Sequence, residues 1–117
     1  MKKIYYLSTC DTNRRILKEL NPSKDIEIQD IKEQNIDAEM LDWIKEKIGS
    51  YEALFSKKAI KYRSLGLNVK QLTEDDYRRW LLEEYTFLKR PFIISGEHVF
   101  IGNAAQVIKE AKISLNH

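Results

Sequence analysis

The first thirty residues change hydrophobic period twice, and that change restricts the fold more than any other feature of the chain. Residues 3–7 (Lys3-Ile4-Tyr5-Tyr6-Leu7) are β-branched and aromatic, the pattern of a buried strand. Residues 13–20 then place Ile16, Leu17 and Leu20 on one helical face and basic residues on the other. Asn21-Pro22-Ser23 ends that helix, and residues 25–29 alternate polar and apolar, as a half-exposed strand does. Strand, helix and strand in this order predict a βαβ unit, right-handed if the strands share a parallel sheet. The loop Ser8-Thr9-Cys10-Asp11-Thr12 joins the first strand to the helix, with Asp11 or Thr12 as its cap.

A helical block follows. Residues 37–48 carry Met40, Leu41, Ile44 and Ile48 at helical spacing behind Asp37, a candidate cap, and Gly49-Ser50 breaks the pattern. Residues 51–57 predict a second short helix. Residues 58–67 predict a further turn carrying Ile60, Tyr62 and Leu65 and stopped by Gly66. Thr73-Glu74-Asp75-Asp76 suits the start of a helix running to about Tyr85. Trp43 and Trp80 fall on these helices and are expected in the core.

The tail changes character again. Residues 91–95 and 98–101 flank Gly96-Glu97 and predict a hairpin with a two-residue loop. Asn103 is a candidate cap for a last amphipathic helix at about 104–112. The expected order is βαβ, a helical insertion at about 37–86, then ββα, in one α/β domain over residues 1–117 with a small mixed sheet.

Charge and cysteine content narrow the partners. Twenty basic and eighteen acidic residues leave a net charge of +2, so nothing draws the chain to nucleic acid or an anionic membrane. No apolar run approaches the ~20 residues that span a bilayer. Ile4–Leu7 is also shorter than the roughly 7–15 residues of a signal-peptide core. A cytoplasmic location is the expectation. A single cysteine forms no internal disulfide, which suits a reducing compartment, and any disulfide of Cys10 joins another molecule. His98 and His117 make no metal-ligand spacing with Cys10, so neither a metal nor a bound cofactor is expected. His98 is expected to be an exposed hairpin residue.

Four stretches resemble the arsenate reductase (ArsC)/Spx/YffB family, thioredoxin-like proteins with a helical insertion. They are Tyr5 to Thr12 with Cys10, Gly49 to Lys58, Tyr62-Arg63-Ser64-Leu65-Gly66-Leu67, and Lys89-Arg90-Pro91-Phe92-Ile93-Ile94 followed by Ile101-Gly102. Together and in order they cover nearly the whole chain. The resemblance implies a thioredoxin-like fold with Cys10 as a redox-active, nucleophilic thiol.

The chemistry of such a cysteine depends on its thiolate. Free cysteine ionises near pH 8.5, and a helix N-terminus or adjacent cations bring this to roughly 3.5–7.5. Cys10 stands two or three residues before the expected helix, and Arg14, four residues on, is placed to fold back toward it. The plain alternative is a buried apolar cysteine at a strand end. In the family's reductases this cysteine attacks arsenate, and glutathione and glutaredoxin reduce the adduct. Spx-type members carry Cys-x-x-Cys instead. Here the motif reads Cys10-Asp11-Thr12-Asn13, so the resolving cysteine is absent and Asn13 replaces the serine of the reductases.

The resemblance also implies an oxyanion site. Tetrahedral oxyanions call for forked cationic donors. Pro91 matches the proline that faces the active cysteine in thioredoxin-like folds, usually after a cis bond. That would bring Arg90 beside Cys10; otherwise Arg90 is a surface residue before a strand. Lys58 matches an arginine position of Spx/YffB-like members, although adjacent Lys57 and Lys58 also suit a solvated turn. Arg14 and Arg90 are thus expected to stabilise charge at Cys10, with Asn13, Lys58 and Pro91 as anion contacts. A third arginine of the reductases is missing from Val99-Phe100-Ile101-Gly102-Asn103, which argues against arsenate as the natural substrate. The expected function is a single-cysteine thiol oxidoreductase linked to glutathione or glutaredoxin. The alternative is a non-catalytic Spx-like regulator that binds the RNA polymerase α-subunit.

Overall fold

The computed structural model describes all 117 residues. Residues Met1–Gln34 and Arg90–His117 form one compact unit, and Asn35–Lys89 form a second.

The first unit is built on a four-stranded sheet. Its strands are β1 (Lys2–Tyr6), β2 (Glu27–Asp30), β3 (Phe92–Ser95) and β4 (His98–Ile101), in the order β2-β1-β3-β4. β1 runs parallel to β2, with Lys3 opposite Glu27 and Tyr6 opposite Asp30. It runs antiparallel to β3, with Tyr5 opposite Phe92. The mixed α/β sheet and the βαβ opening are as expected. So is the hairpin, since Ser95 pairs with His98 and leaves Gly96-Glu97 as the loop. Gly96 has φ +62, a left-handed conformation that glycine adopts without steric cost.

Two helices supply the core of this unit, α1 (Asp11–Leu20) and α5 (Ala105–Leu115). Ile4 and Ile93 from adjacent strands pack with Ile16 and Leu20 of α1 and with Ile108, Ala111 and Leu115 of α5. Burying each large aliphatic side chain here contributes about 1.5–3 kcal/mol. Lys2 closes the end of α5 by donating from Nζ to the Leu115 carbonyl at 2.8 Å. Lys3 is buried between an ion pair with Glu27 and the Tyr5 ring, 4.6 Å from its centroid. Burial alone would lower its pKa; Glu27 and Tyr5 outweigh that and raise it.

The second unit holds α2 (Ala38–Ile48), α3 (Ile60–Ser64) and α4 (Glu74–Glu83), with short 3-10 turns at Glu52–Leu54, Leu67–Val69 and Tyr85–Phe87. Asp37 caps α2 as expected, accepting from the Met40 amide at 2.8 Å. Thr73 and Asp76 form a reciprocal capping box on α4. The core is aromatic: Phe55 stacks on Phe87 at 4.7 Å and meets Tyr77 edge-on at 5.0 Å. The Asp42 carboxylate takes a two-point contact from Arg78, 2.8 and 3.1 Å, and the Tyr51 hydroxyl at 2.6 Å.

Several elements differ from expectation. Residues 51–57 form only a 3-10 turn, because the Ser56 amide leaves the helical pattern to bond the Phe87 carbonyl at 2.7 Å. The last helix starts after Ala104, not after an Asn103 cap, and runs to Leu115. Trp43 and Trp80 are half-buried, not core residues. Trp43 lies under Lys47 at 5.2 Å, and Trp80 meets Phe87 edge-on at 5.8 Å with Arg79 at 6.0 Å. The core places are taken by Leu41, Ile44, Tyr77 and Leu81 on the same helices.

Candidate functional site around Cys10

Cys10 is itself the N-cap of α1; neither Asp11 nor Thr12 holds that place. Its backbone is extended, at φ −101 and ψ 118, and its carbonyl accepts the Arg14 amide at 3.0 Å. No side chain caps the helix at this end. The sulfur therefore sits at a helix N-terminus, where amide groups and the helix dipole favour an anion. Cys10 is half-buried.

The loop that delivers Cys10 is tied at every step. The Leu7 carbonyl accepts the Cys10 amide at 3.1 Å, closing a tight turn. The Leu7 amide donates to Asn13 Oδ1 at 3.0 Å. The Ser8 amide donates to Asp30 Oδ1 at 3.1 Å, and the Ser8 carbonyl accepts Arg14 Nη1 at 2.6 Å. Asp30 also accepts the Lys32 amide at 3.1 Å. Burial alone would raise the Asp30 carboxyl; the Ser8 side chain, followed by the Ser8 and Lys32 amides, outweighs it and holds the carboxyl below its usual range.

The structure brings Asn13 and Arg14 onto the Cys10 loop. Asn13, only 2% exposed, donates from Nδ2 to Cys10 Sγ at 3.5 Å. Arg14 does fold back, but onto the Ser8 carbonyl and into an ion pair with Asp11. Two of its five N–H donors are then engaged, which leaves others to face an anion. The Arg90–Pro91 bond is cis. Pro91 is buried and Arg90 half-buried. The β1–β3 register runs from Lys2 opposite Ser95 to Tyr5 opposite Phe92, so its continuation carries Arg90 and Pro91 to the sheet end where Leu7–Cys10 begins. The Pro91 carbonyl is anchored there by the Gly102 amide at 2.9 Å.

Lys58 belongs to the second unit, exposed on the turn before α3. Its neighbour Lys57 is committed to Glu52 at 2.7 Å. His98 is exposed on β4. No group of three or more His, Cys, Asp or Glu side chains is arranged to hold a metal ion. No helix is long and apolar enough to cross a membrane.

Asp30 went unnoticed in the sequence. It ends a half-exposed edge strand, and nothing local marks it. Its partner Ser8 lies 22 residues earlier and meets it only because parallel pairing sets Tyr6 opposite Asp30.

A four-stranded mixed sheet in the order β2-β1-β3-β4, with a cysteine at the N-terminus of α1 and a proline just before β3, defines a thioredoxin-like protein, here with a helical insertion between β2 and β3. The ArsC family profile matches residues 5–111, and the chain belongs to that family. Solved structures share the fold. An arsenate reductase from Vibrio cholerae superposes with a TM-score of 0.79 at 21% identity, over 94% of this chain and 96% of the other. An arsenate reductase (ArsC) related protein from Brucella melitensis gives 0.69 at 22% identity, over 93% and 92%. A protein from Staphylococcus aureus COL gives 0.72 at 26% identity, over 95% and 98%. No curated protein matches the chain.

Proposed function

We propose that this ArsC-family chain is a single-cysteine thiol oxidoreductase acting in a reducing, cytoplasmic compartment. Cys10 is the nucleophile, and glutathione or a glutaredoxin is the external reductant. The observation that carries this reading is the seat of Cys10 as the N-cap of α1, with a side-chain N–H donor at its sulfur. Arg14 and Arg90 supply positive charge for an oxyanion at the sulfur.

For arsenate the steps balance as follows. Cys10 sulfur bonds to arsenic, and one arsenate oxygen leaves as water. Two external thiols then supply the two electrons that reduce As(V) to As(III); they leave joined as a disulfide, and a second arsenic oxygen leaves as water. Hydrolysis frees arsenite and regenerates the Cys10 thiol. A second cysteine in the chain is not required, which suits Cys10 standing alone.

Intact-mass spectrometry of the protein with arsenate and glutathione tests this. An adduct on the wild type that is absent from Cys10→Ser is the expected result. A parallel arm with oxidised glutathione reads thiol–disulfide exchange, in which Cys10 takes one glutathione and releases the other as thiolate. A wild type that forms no adduct in either arm overturns the reading.

A further inference from the structure

We infer that Asn13 is the positioning residue of the Cys10 thiolate, rather than a contact for substrate; the inference rests on the thiol reading above. The Asn13 amide spans the loop. Its Oδ1 accepts the Leu7 amide at 3.0 Å, and its Nδ2 points at Cys10 Sγ at 3.5 Å. The assignment of oxygen and nitrogen follows from chemistry. A backbone N–H only donates, so the atom facing Leu7 must be the oxygen. The atom facing sulfur is therefore the NH2 group, which in turn only donates. Asn13 thus offers the sulfur a donor and no acceptor, and such a donor binds a thiolate more strongly than a thiol.

Burial sharpens the effect. Asn13 is 2% exposed, so water does not compete for its N–H groups, and both ends of its amide are occupied within the loop. The carboxylate of Asp11, next to Cys10 in the chain, is paired with Arg14, and that of Asp30 is held by the Ser8 and Lys32 amides. One side chain therefore performs two tasks: it closes the Leu7–Cys10 turn and sets the state of the sulfur.

Two variants separate the tasks. Asn13→Asp is isosteric and keeps the acceptor for Leu7 but puts a carboxylate oxygen where the donor was. Asn13→Ala loses both bonds. The readout is the rate of Cys10 alkylation by iodoacetamide between pH 5 and 10, with thermal melts to confirm folding. Asn13→Asp is expected to alkylate about tenfold or more slowly than wild type at pH 7, at least as slowly as Asn13→Ala, and to reach its plateau at higher pH. A purely structural Asn13 predicts the opposite order, with Asn13→Asp near wild type and only Asn13→Ala slow; that result overturns the inference.

A second measurement needs no variant of Asn13. The Asn13 side-chain amide resonances of the wild type are expected to move when Cys10 is alkylated, by more than other buried amides do. Unmoved resonances overturn the inference. Iodoacetamide requires neither arsenate nor glutathione. Failure of the adduct experiment therefore counts against the reductase reading, and failure of the alkylation order counts against the role of Asn13.

Discussion

The carboxylate of Asp30 accepts the amide of Ser8 at 3.1 Å, fastening the end of β2 to the loop that presents Cys10. The same carboxylate holds the Lys32 amide. One side chain thus steadies both the entrance to the Cys10 loop and the exit from the edge strand.

Asp30→Ala leaves two amides without their partner. The expected cost is about 1–3 kcal/mol, read as a lower denaturation midpoint. The pH dependence has a definite sign. The Asp30 carboxyl is held below its ordinary range in the folded state, so its contribution is complete above the unfolded carboxylate range, near pH 4. It fades as the pH falls through the folded value. Melts of wild type and Asp30→Asn are expected to differ most at neutral pH and to converge on acidification. A constant gap down to pH 3 would count against this role.

Arg90 is proposed to meet an oxyanion at Cys10. Arg90→Ala is expected to slow arsenate-dependent adduct formation by roughly 10- to 100-fold, the loss of one charge-assisted contact. Arg90→Lys restores charge but not the fork and falls between the two. Rates from stopped reactions read by mass spectrometry decide it. Equal rates in all three proteins would remove Arg90 from the site.

In the second unit, Arg78 and the Tyr51 hydroxyl hold the Asp42 carboxyl down at about 2. The pair is partly exposed, with the Asp42 side chain at 45%, so solvent screening reduces its worth. Asp42→Asn is expected to cost about 1 kcal/mol and to lower the melting temperature by roughly 2–8 °C. The contribution is present above the ordinary carboxylate range and is lost as the pH falls toward 2. Melting curves at pH 7 and pH 3 read this directly.

Ile93 sits at 0% exposure in the middle of the sheet, among Ile4, Ile16 and Ile108. Ile93→Ala is expected to cost roughly 2–5 kcal/mol, part lost transfer and part cavity. Ile60→Ala is the contrast: Ile60 is 87% exposed on α3, and its loss is expected to shift stability by less than about 0.5 kcal/mol. Chemical denaturation of both variants tests the pair.

The sequence by itself determined the elements whose signals are local. The period change at residues 3–29 specified the βαβ opening, Asp37 and Thr73 marked helix starts, and Gly96-Glu97 marked the hairpin. Cys10 was legible for the same reason, as a lone thiol in a polar loop between strand and helix. The tertiary structure decided what depends on residues far apart in the chain. It alone paired Asp30 with Ser8, carried Arg90 and Pro91 to the Cys10 end of the sheet, and left Trp43 and Trp80 half-buried. It also turned Asn13 inward, between the Leu7 amide and the Cys10 sulfur, because the first turn of α1 and the Leu7 amide meet only once β1 and α1 are folded together. Local pattern encodes period and caps; register and burial arise from packing, and the atoms around Cys10 belong to the second kind.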